Sequence, residues 1–95
     1  MSLFAITCWD KPGALESRVE NRPDHVAYLK TQDLVIRVAG PQLDEAGHMC
    51  GSLFVIEVDD LEAAKAFSAG DPFVHRGVFG KVDIRGFTKT MGSWS

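Results

Sequence analysis

The spacing of apolar and polar residues predicts four strands separated by helical or polar segments. Runs rich in β-branched and aromatic side chains, bounded by turn residues, are typical of strands. They cover residues 3–9, 34–39, 52–58 and 77–87. In the last run Val82 and Ile84 alternate with charged residues, which predicts one apolar and one polar face. The second and third runs are expected to pair with each other.

Two segments between these runs have helical spacing. Over residues 15–32 apolar side chains recur at helical intervals, but Pro23 interrupts them, so the pattern predicts two short helices or one helix kinked at the proline. The segment DDLEAAKAFSAG predicts a second helical region. We expect Asp59 to be its N-cap, with Glu62 three residues on as in a capping box, and Gly70 to end it.

The order strand, helix, strand, strand, helix, strand predicts an α+β fold of the ferredoxin-like βαββαβ type. In that arrangement both helices cover one face of an antiparallel sheet. The first strand is apolar on both faces, since Phe4, Ile6 and Cys8 alternate with further apolar residues. Soluble monomers rarely expose a large apolar sheet face. We therefore predict a homodimer that packs sheet against sheet.

Composition is that of one folded domain spanning residues 1–95. The chain is 45% hydrophobic and 24% charged, and a domain this short buries only about 60–65% of its unfolded surface, so its core is marginal. The last residues, TKTMGSWS, are predicted to run into a loose tail. The sequence leaves open whether Trp94 docks on its own subunit or on a partner.

The charge pattern argues against nucleic acid and membrane partners. The formal net charge is −3 and the ten basic residues are scattered, whereas a phosphate-binding surface needs them clustered. The opening MSLFAITCW is apolar but short and has no basic segment before it, so we expect neither a signal peptide nor a membrane span. A cytoplasmic location is expected.

Neither a metal nor another cofactor is expected. His48, Cys50 and His75 are residue types that bind zinc, but no CxxC or HExxH spacing connects them. The two cysteines, Cys8 and Cys50, are expected to be small apolar side chains and not a disulfide. No glycine pattern of the phosphate-binding kind is present.

His25 and Asp71 are the two candidates for chemistry. If Pro23 begins a helix, Arg22 is its N-cap and His25 lies in the first turn, where the partial positive charge favours a neutral imidazole. Asp71 precedes Pro72 and is read first as a helix N-cap, and second as a carboxylate partner for a histidine. Spacing alone does not bring these two residues together.

Several short motifs give the chain a resemblance to a known family. They are Asp10, Arg18, RPDHVAYL at 22–29, AGP at 39–41, GS at 51–52, EAAKAF at 62–67 and DPFVHRGV at 71–78. In order and spacing they resemble the YCII-related (YciI-like) family over nearly the whole chain. The resemblance implies a dimeric α/β barrel with a His–Asp pair in a pocket, at His25 and Asp71 here. Family activities are mostly unassigned, although one related protein is a dehydrochlorinase of a chlorinated hydroxyquinol.

These observations together predict an enzyme that acts on a small organic molecule, with lyase-type elimination as one option. His25 would take a proton while Asp71 orients its ring. The residues expected to bind or enclose the substrate are Arg18, Arg22, Ser52 and Phe73, with Phe54 and Trp9 as further possible walls. Two alternatives stay open: a ligand-binding or regulatory module without catalysis, and a pair that is purely structural.

Overall fold

A computed structural model describes residues 1–94 and confirms the α+β, ferredoxin-like fold. Its elements are β1 (Ser2–Asp10), α1 (Leu15–Thr31), β2 (Ile36–Leu43), β3 (Met49–Val58), α2 (Leu61–Ala69), α3 (Pro72–His75) and β4 (Phe79–Phe87). The four strands form one antiparallel sheet in the order β2-β3-β1-β4. The predicted pairing of the second and third strands is therefore confirmed.

The strand β1 lies at the centre of the sheet and presents alternate residues to its two faces. It pairs with β3 from Ser2 opposite Val58 to Trp9 opposite Gly51, and with β4 on its other side. The side chains of Phe4, Ile6 and Cys8 lie on the helix-covered face and are buried with the rest of the core. That core consists of Phe4, Ile6, Cys8, Phe54, Ile56, Ala64, Phe67, Phe73, Val78 and Phe79.

The helix α1 is one continuous helix that contains Pro23, so of the two alternatives a single helix is correct and two short helices are wrong. Its N-cap is Ala14, and Arg22 and His25 lie in its interior. The argument that a helix N-terminus keeps His25 neutral therefore does not apply. A proline inside a helix costs about 3 kcal/mol. Packing of the buried side of α1 against the sheet offsets that cost, because tertiary contacts supply most helix stability in proteins.

The two helices α2 and α3 begin at aspartates. The N-cap of α2 is Asp60 and not Asp59, because Asp60 accepts a hydrogen bond from the backbone N–H of Ala63 at 2.9 Å. Glu62 is consequently one position short of a capping box. Asp71 caps α3 by accepting from the Phe73 N–H at 2.9 Å, which confirms the N-cap interpretation.

The sheet face away from the helices, called here the open face, bears no helix and is apolar in part. By register its apolar residues are Leu3, Ala5, Trp9, Val38, Leu53, Val55 and Phe87, and beside them lie Glu57 and, along β4, Lys81, Asp83 and Arg85. Trp9 and Leu53 expose 43% and 38% of their surface. The homodimer through this face stays a prediction.

The end of the chain has neither helix nor strand over residues 88–94, and residue 95 of the predicted tail lies outside the described residues. The ring of Trp94 lies 5.1 Å from Lys89 Nζ. Across residues 1–94 no helix combines the length and apolar character needed to cross a bilayer.

Candidate functional site

A cavity of about 210 Å³ opens between α1 and the β2–β3 half of the sheet. Its volume is below the roughly 300–1,000 Å³ typical of pockets for drug-sized ligands, so it suits a smaller molecule. The lining combines apolar side chains with four polar ones. It consists of Arg18, Arg22, His25, Val26, Leu29, Ala39, Gly40, Pro41, Met49, Ser52, Phe54 and Phe73.

The structure brings His25 and Asp71 into direct contact at this cavity. His25 Nδ1 lies 2.7 Å from Asp71 Oδ1, and both side chains are buried. The same oxygen accepts the N–H of Phe73 at 2.9 Å. Asp71 therefore serves as helix cap and as histidine partner at once, so the two interpretations of this residue are compatible.

Two phenylalanines fix the plane of the His25 imidazole. The ring of Phe73 stacks on it with centroids 3.9 Å apart and an angle of 6°, and Phe54 approaches by its edge at 6.2 Å. Both aromatic residues line the cavity, as expected from the sequence. Trp9 does not, because strand alternation places it on the open face, where Lys81 Nζ lies 5.0 Å from its ring.

Arg18 is anchored by a buried network on the same side of α1. Its Nε and Nη2 donate to the two carboxylate oxygens of Asp10 at 2.7 and 3.1 Å. Nη2 also donates to the Gly51 carbonyl at 2.7 Å and to Ser52 Oγ at 2.8 Å. Arg18 is 3% exposed, and its guanidinium carbon lies 4.8 Å from the centroid of Phe73. Most of its donors are therefore occupied by the protein.

Arg18 and His25 each keep one nitrogen that has no partner among the residues that the structure describes. Within residues 1–94, neither Arg18 Nη1 nor His25 Nε2 has a hydrogen-bond partner. No fully buried side-chain nitrogen or oxygen there lacks a partner, so both atoms are accessible. Arg22, in contrast, is exposed at the cavity mouth and forms no ion pair with the described part of the chain.

Gly51 permits the close approach on which the Arg18 network depends. A Cβ atom at this position would lie 2.2 Å from the Cys8 carbonyl oxygen, well inside van der Waals contact. At this end of the strand pair, the backbones of β1 and β3 can therefore approach this closely only because residue 51 has no side chain. This proximity sets the Gly51 carbonyl and Ser52 where Arg18 reaches both.

The thiol of Cys8 lies beneath the site and is held protonated. Burial raises the pKa of Cys8 to about 12, and the charge of Asp71 acts in the same direction. Arg18 lowers the pKa by less than Asp71 raises it, and Asp10 raises it least. A thiol with such a pKa is a poor nucleophile at neutral pH. Cys8 and Cys50 are both free.

The metal ligands considered from the sequence do not converge in the described part of the chain. Across residues 1–94, no three His, Cys, Asp or Glu side chains lie close enough together to hold a metal ion. His48 and His75 are both exposed. Neither lines the cavity.

Sequence reasoning missed Asp10 as the partner of Arg18, and most of the apolar lining. A usable signal was present for the helix side of the cavity. Arg18, Arg22, His25 and Leu29 recur at intervals of four, three and four residues, which puts them on one face of a single helix. Assuming a break at Pro23 concealed that face.

Comparison with known proteins agrees with this architecture. A family model described as the YCII-related domain matches residues 2–88. Protein YciI of Escherichia coli O6:H1 is 35% identical, with 94% of this chain and 99% of YciI covered. An uncharacterized protein of Haemophilus influenzae is 36% identical, with coverages of 93% and 98%.

Two solved structures are similar in fold. The dehydrochlorinase TftG of Burkholderia phenoliruptrix, which acts on 5-chloro-2-hydroxyhydroquinone and was solved with 2,5-dihydroxybenzoquinone, has a TM-score of 0.85 and 30% identity, covering 93% of this chain and 95% of TftG. A NIPSNAP domain protein of Burkholderia xenovorans has a TM-score of 0.51 and 16% identity over 95% of both chains, a likeness of fold alone. Since the family model covers residues 2–88 and both curated relatives align over nearly their full length, the chain belongs to the YCII-related domain family.

Proposed function

We propose that this protein is an enzyme in which His25 and Asp71 perform acid–base catalysis on a small, acidic organic molecule. One observation carries the proposal: a buried imidazole and a buried carboxylate lie 2.7 Å apart at the wall of a small open cavity. Perturbed or paired titratable groups at a concave pocket with few polar residues are the usual mark of an active site.

The hydrogen bonds of Asp71 support a base role for His25. A carboxylate only accepts, so the contact with Asp71 Oδ1 requires a proton on His25 Nδ1. In a neutral imidazole the other nitrogen, Nε2, then carries the lone pair that can take a proton from a substrate. Asp71 keeps this tautomer and stabilises the imidazolium that forms, as the carboxylate does in hydrolase triads.

Positive charge around the cavity favours a substrate with an anionic oxygen. Arg18 lines the cavity with its Nη1 unpaired among the described residues, and Ser52, which accepts from Arg18, keeps its own hydroxyl proton to donate. Arg22 at the mouth adds a second cation.

Phe73 supports the imidazole and does not itself contact a ligand, because it is fully buried and stacked on His25. Partly exposed Val26, Leu29 and Met49 supply the apolar lining against which a planar ring can pack. A carboxylate, phenolate or enolate on a small ring fits these groups.

Elimination is the reaction that best combines these features. His25 Nε2 would accept a proton from the substrate, the electron pair of the broken bond would form a new double bond, and a leaving group such as chloride would depart with its own electron pair. The net change is loss of one molecule of acid. The similarity to TftG, whose name states a dehydrochlorinase activity, supports this choice of reaction class. Proton transfer to a positioned base is worth about 10²–10⁴ in rate.

A substrate panel tests the proposal. Purified protein is incubated with hydroxylated and halogenated ring compounds, including 5-chloro-2-hydroxyhydroquinone, while absorbance and released chloride are followed. His25→Asn retains an N–H near the Nδ1 position but has no nitrogen able to take the proton. It should lower turnover by about 10²–10⁴, whereas His48→Ala, which alters an exposed histidine outside the cavity, should not.

Binding without turnover would favour the alternative function, a non-catalytic ligand-binding module. Calorimetry with 2,5-dihydroxybenzoquinone provides the discriminating measurement. If wild type binds this compound, turns over no member of the panel, and His25→Asn weakens binding, the enzyme proposal is wrong and the ligand-binding module is supported. Turnover that is equal in wild type and His25→Asn would exclude the role assigned to His25.

A further inference from the structure

Helix α1 contacts the segment that carries Asp71 through Tyr28 as well as through His25. We propose that Tyr28 is a positioning residue, which holds the backbone at residues 67–71 so that the Asp71 carboxylate meets His25 Nδ1. The catalytic consequence of this role rests on the proposed function. The positioning itself does not, because it concerns only the geometry of the two side chains.

The hydroxyl of Tyr28 caps the end of α2. It donates to the Phe67 carbonyl at 2.7 Å. That carbonyl receives no N–H from Gly70 or Asp71, which donate to Ala66 and Ser68 instead. Carbonyls in the last turn of a helix lack an intrahelical partner. Tyr28 therefore satisfies a group that would otherwise lie unpaired four residues before Asp71.

The ring of Tyr28 also lies directly against Gly70. A Cβ atom on Gly70 would be 2.6 Å from the Tyr28 hydroxyl oxygen and 2.9 Å from the ring carbon that bears it. Gly70 has φ −76° and ψ −13°, a conformation open to every residue. Its lack of a side chain therefore serves the contact with Tyr28 and not the backbone conformation.

His25 and Tyr28 form a rigid pair of contacts because they lie three residues apart on one helix. Side chains at this spacing share a face and occupy neighbouring turns. One of them binds the Asp71 side chain and the other binds the backbone just before it. A helix cannot shift one contact without the other, so Tyr28 restricts the position of Asp71 relative to His25.

The electrostatic surroundings keep the Tyr28 hydroxyl protonated. Burial, and secondarily the charge of Asp71, raise the pKa of Tyr28. A protonated hydroxyl stays a donor across the neutral pH range. On the far side of Asp71, Arg76 donates to Asn21 and Asp24 of α1, so the carboxylate lies between two points at which the helix holds its segment.

The first test compares Tyr28→Phe with Thr31→Val by NMR. Tyr28→Phe removes only the hydroxyl, whereas Thr31→Val removes an exposed hydroxyl that bonds within the same helix at 2.6 Å. The readout is hydrogen exchange of the His25 Nδ1 proton. Loss of one hydrogen bond of about 1 kcal/mol should accelerate that exchange about three- to tenfold in Tyr28→Phe, and leave it unchanged in Thr31→Val.

Core resonances of Ile6 and Ile56 report whether each variant keeps the native fold. Native core signals with unchanged exchange of the His25 Nδ1 proton in Tyr28→Phe would overturn the positioning role. Native core signals with accelerated exchange confined to the His25–Asp71 contact would support it.

A second test substitutes Gly70 and Tyr28 singly and together. In the wild-type background Gly70→Ala should weaken the His25–Asp71 contact, because the added Cβ meets the Tyr28 ring. The readout is again hydrogen exchange of the His25 Nδ1 proton. In a Tyr28→Ala background the same substitution should have no such effect. An equal effect of Gly70→Ala in both backgrounds would show that Tyr28 and Gly70 act independently, contrary to the proposal.

Both tests separate this inference from the proposed function. A protein that turns over no substrate but shows the predicted exchange of the His25 Nδ1 proton retains the positioning role and loses the enzyme role. If turnover exists, Tyr28→Phe should lower kcat more than it changes KM, since the position of a proton acceptor affects the chemical step. Turnover and exchange both insensitive to Tyr28→Phe would leave Tyr28 an ordinary packing residue.

Discussion

The two faces of the sheet treat charge in opposite ways. On the helix-covered face, Arg18 with Asp10 and His25 with Asp71 are buried, and each pair is joined by short hydrogen bonds. On the open face the ion pair of Arg37 and Glu57 is about one third exposed, and β4 adds a second exposed pair, Arg85 with Asp83. The covered face therefore buries two charged pairs, whereas the charged groups of the open face stay in contact with water beside an uncovered apolar surface.

This difference between the faces distinguishes the one that suits a binding site from the one that suits association with another surface. Burying a charge is costly unless it is paired and hydrogen-bonded, so a buried ion pair is weak support for stability and stronger support for a functional requirement. For an apolar surface the cost is reversed, because it is exposure to water that is unfavourable. The covered face thus fits a binding site, and the open face fits contact with another surface.

The largest expected effect comes from breaking the Arg18 network. Arg18→Met leaves the Asp10 carboxylate buried without its partner, which should destabilise the fold by about 3–5 kcal/mol. Urea denaturation followed by circular dichroism measures this loss. Adding Asp10→Asn should recover part of it, because the unpaired charge is then gone. A double variant as unstable as the single one would contradict the pairing argument.

The next effect concerns the open face and the homodimer. Leu53→Glu places a charge in the middle of this apolar surface, which should weaken self-association about a hundredfold, or roughly 3 kcal/mol. Sedimentation equilibrium at micromolar concentration gives the measurement. Leu34→Glu is the matched control, because Leu34 is 90% exposed and outside the sheet. A wild-type protein that sediments as a monomer would refute the homodimer.

A smaller effect should appear at high pH through Cys8. Folding raises its pKa from 9.0 to about 12, so above pH 9 the unfolded chain loses a proton that the folded chain keeps. Stability is therefore complete below pH 9 and falls as pH rises toward 12, by about 2 kcal/mol at pH 10.5. Denaturant midpoints between pH 8 and 10.5 measure the slope. Cys8→Ala should remove this contribution, and an unchanged slope would mean that other groups cause it.

The smallest effect is expected from the ion pair on the open face. Arg37 donates twice to Glu57 Oε1, at 2.6 and 3.0 Å, yet partly exposed pairs contribute only about 0–1 kcal/mol. Arg37→Met, measured by the same urea titration as Arg18→Met, should therefore change stability by less than about 1 kcal/mol. A loss comparable with that of Arg18→Met would show that the two faces do not differ as argued.

Local patterns predicted the strands well and the site incompletely. Alternation in β1 identified the buried set Phe4, Ile6 and Cys8 because strand period is a local property. The continuity of α1 through Pro23 depends on packing against the sheet, which no local rule contains. Asp10 was not assigned to Arg18 for a similar reason: their contact needs the turn between β1 and α1 and the approach of β3 at Gly51.

The contact between His25 and Asp71 joins residues 46 positions apart in sequence. Strands β2 and β3 and helix α2 lie between them in the chain. The contact is therefore non-local, and forming it costs loop-closure entropy that contacts within one element do not. No fragment lacking either end of that interval would contain the site. Its formation could serve as a direct kinetic probe of when the chain reaches its native topology.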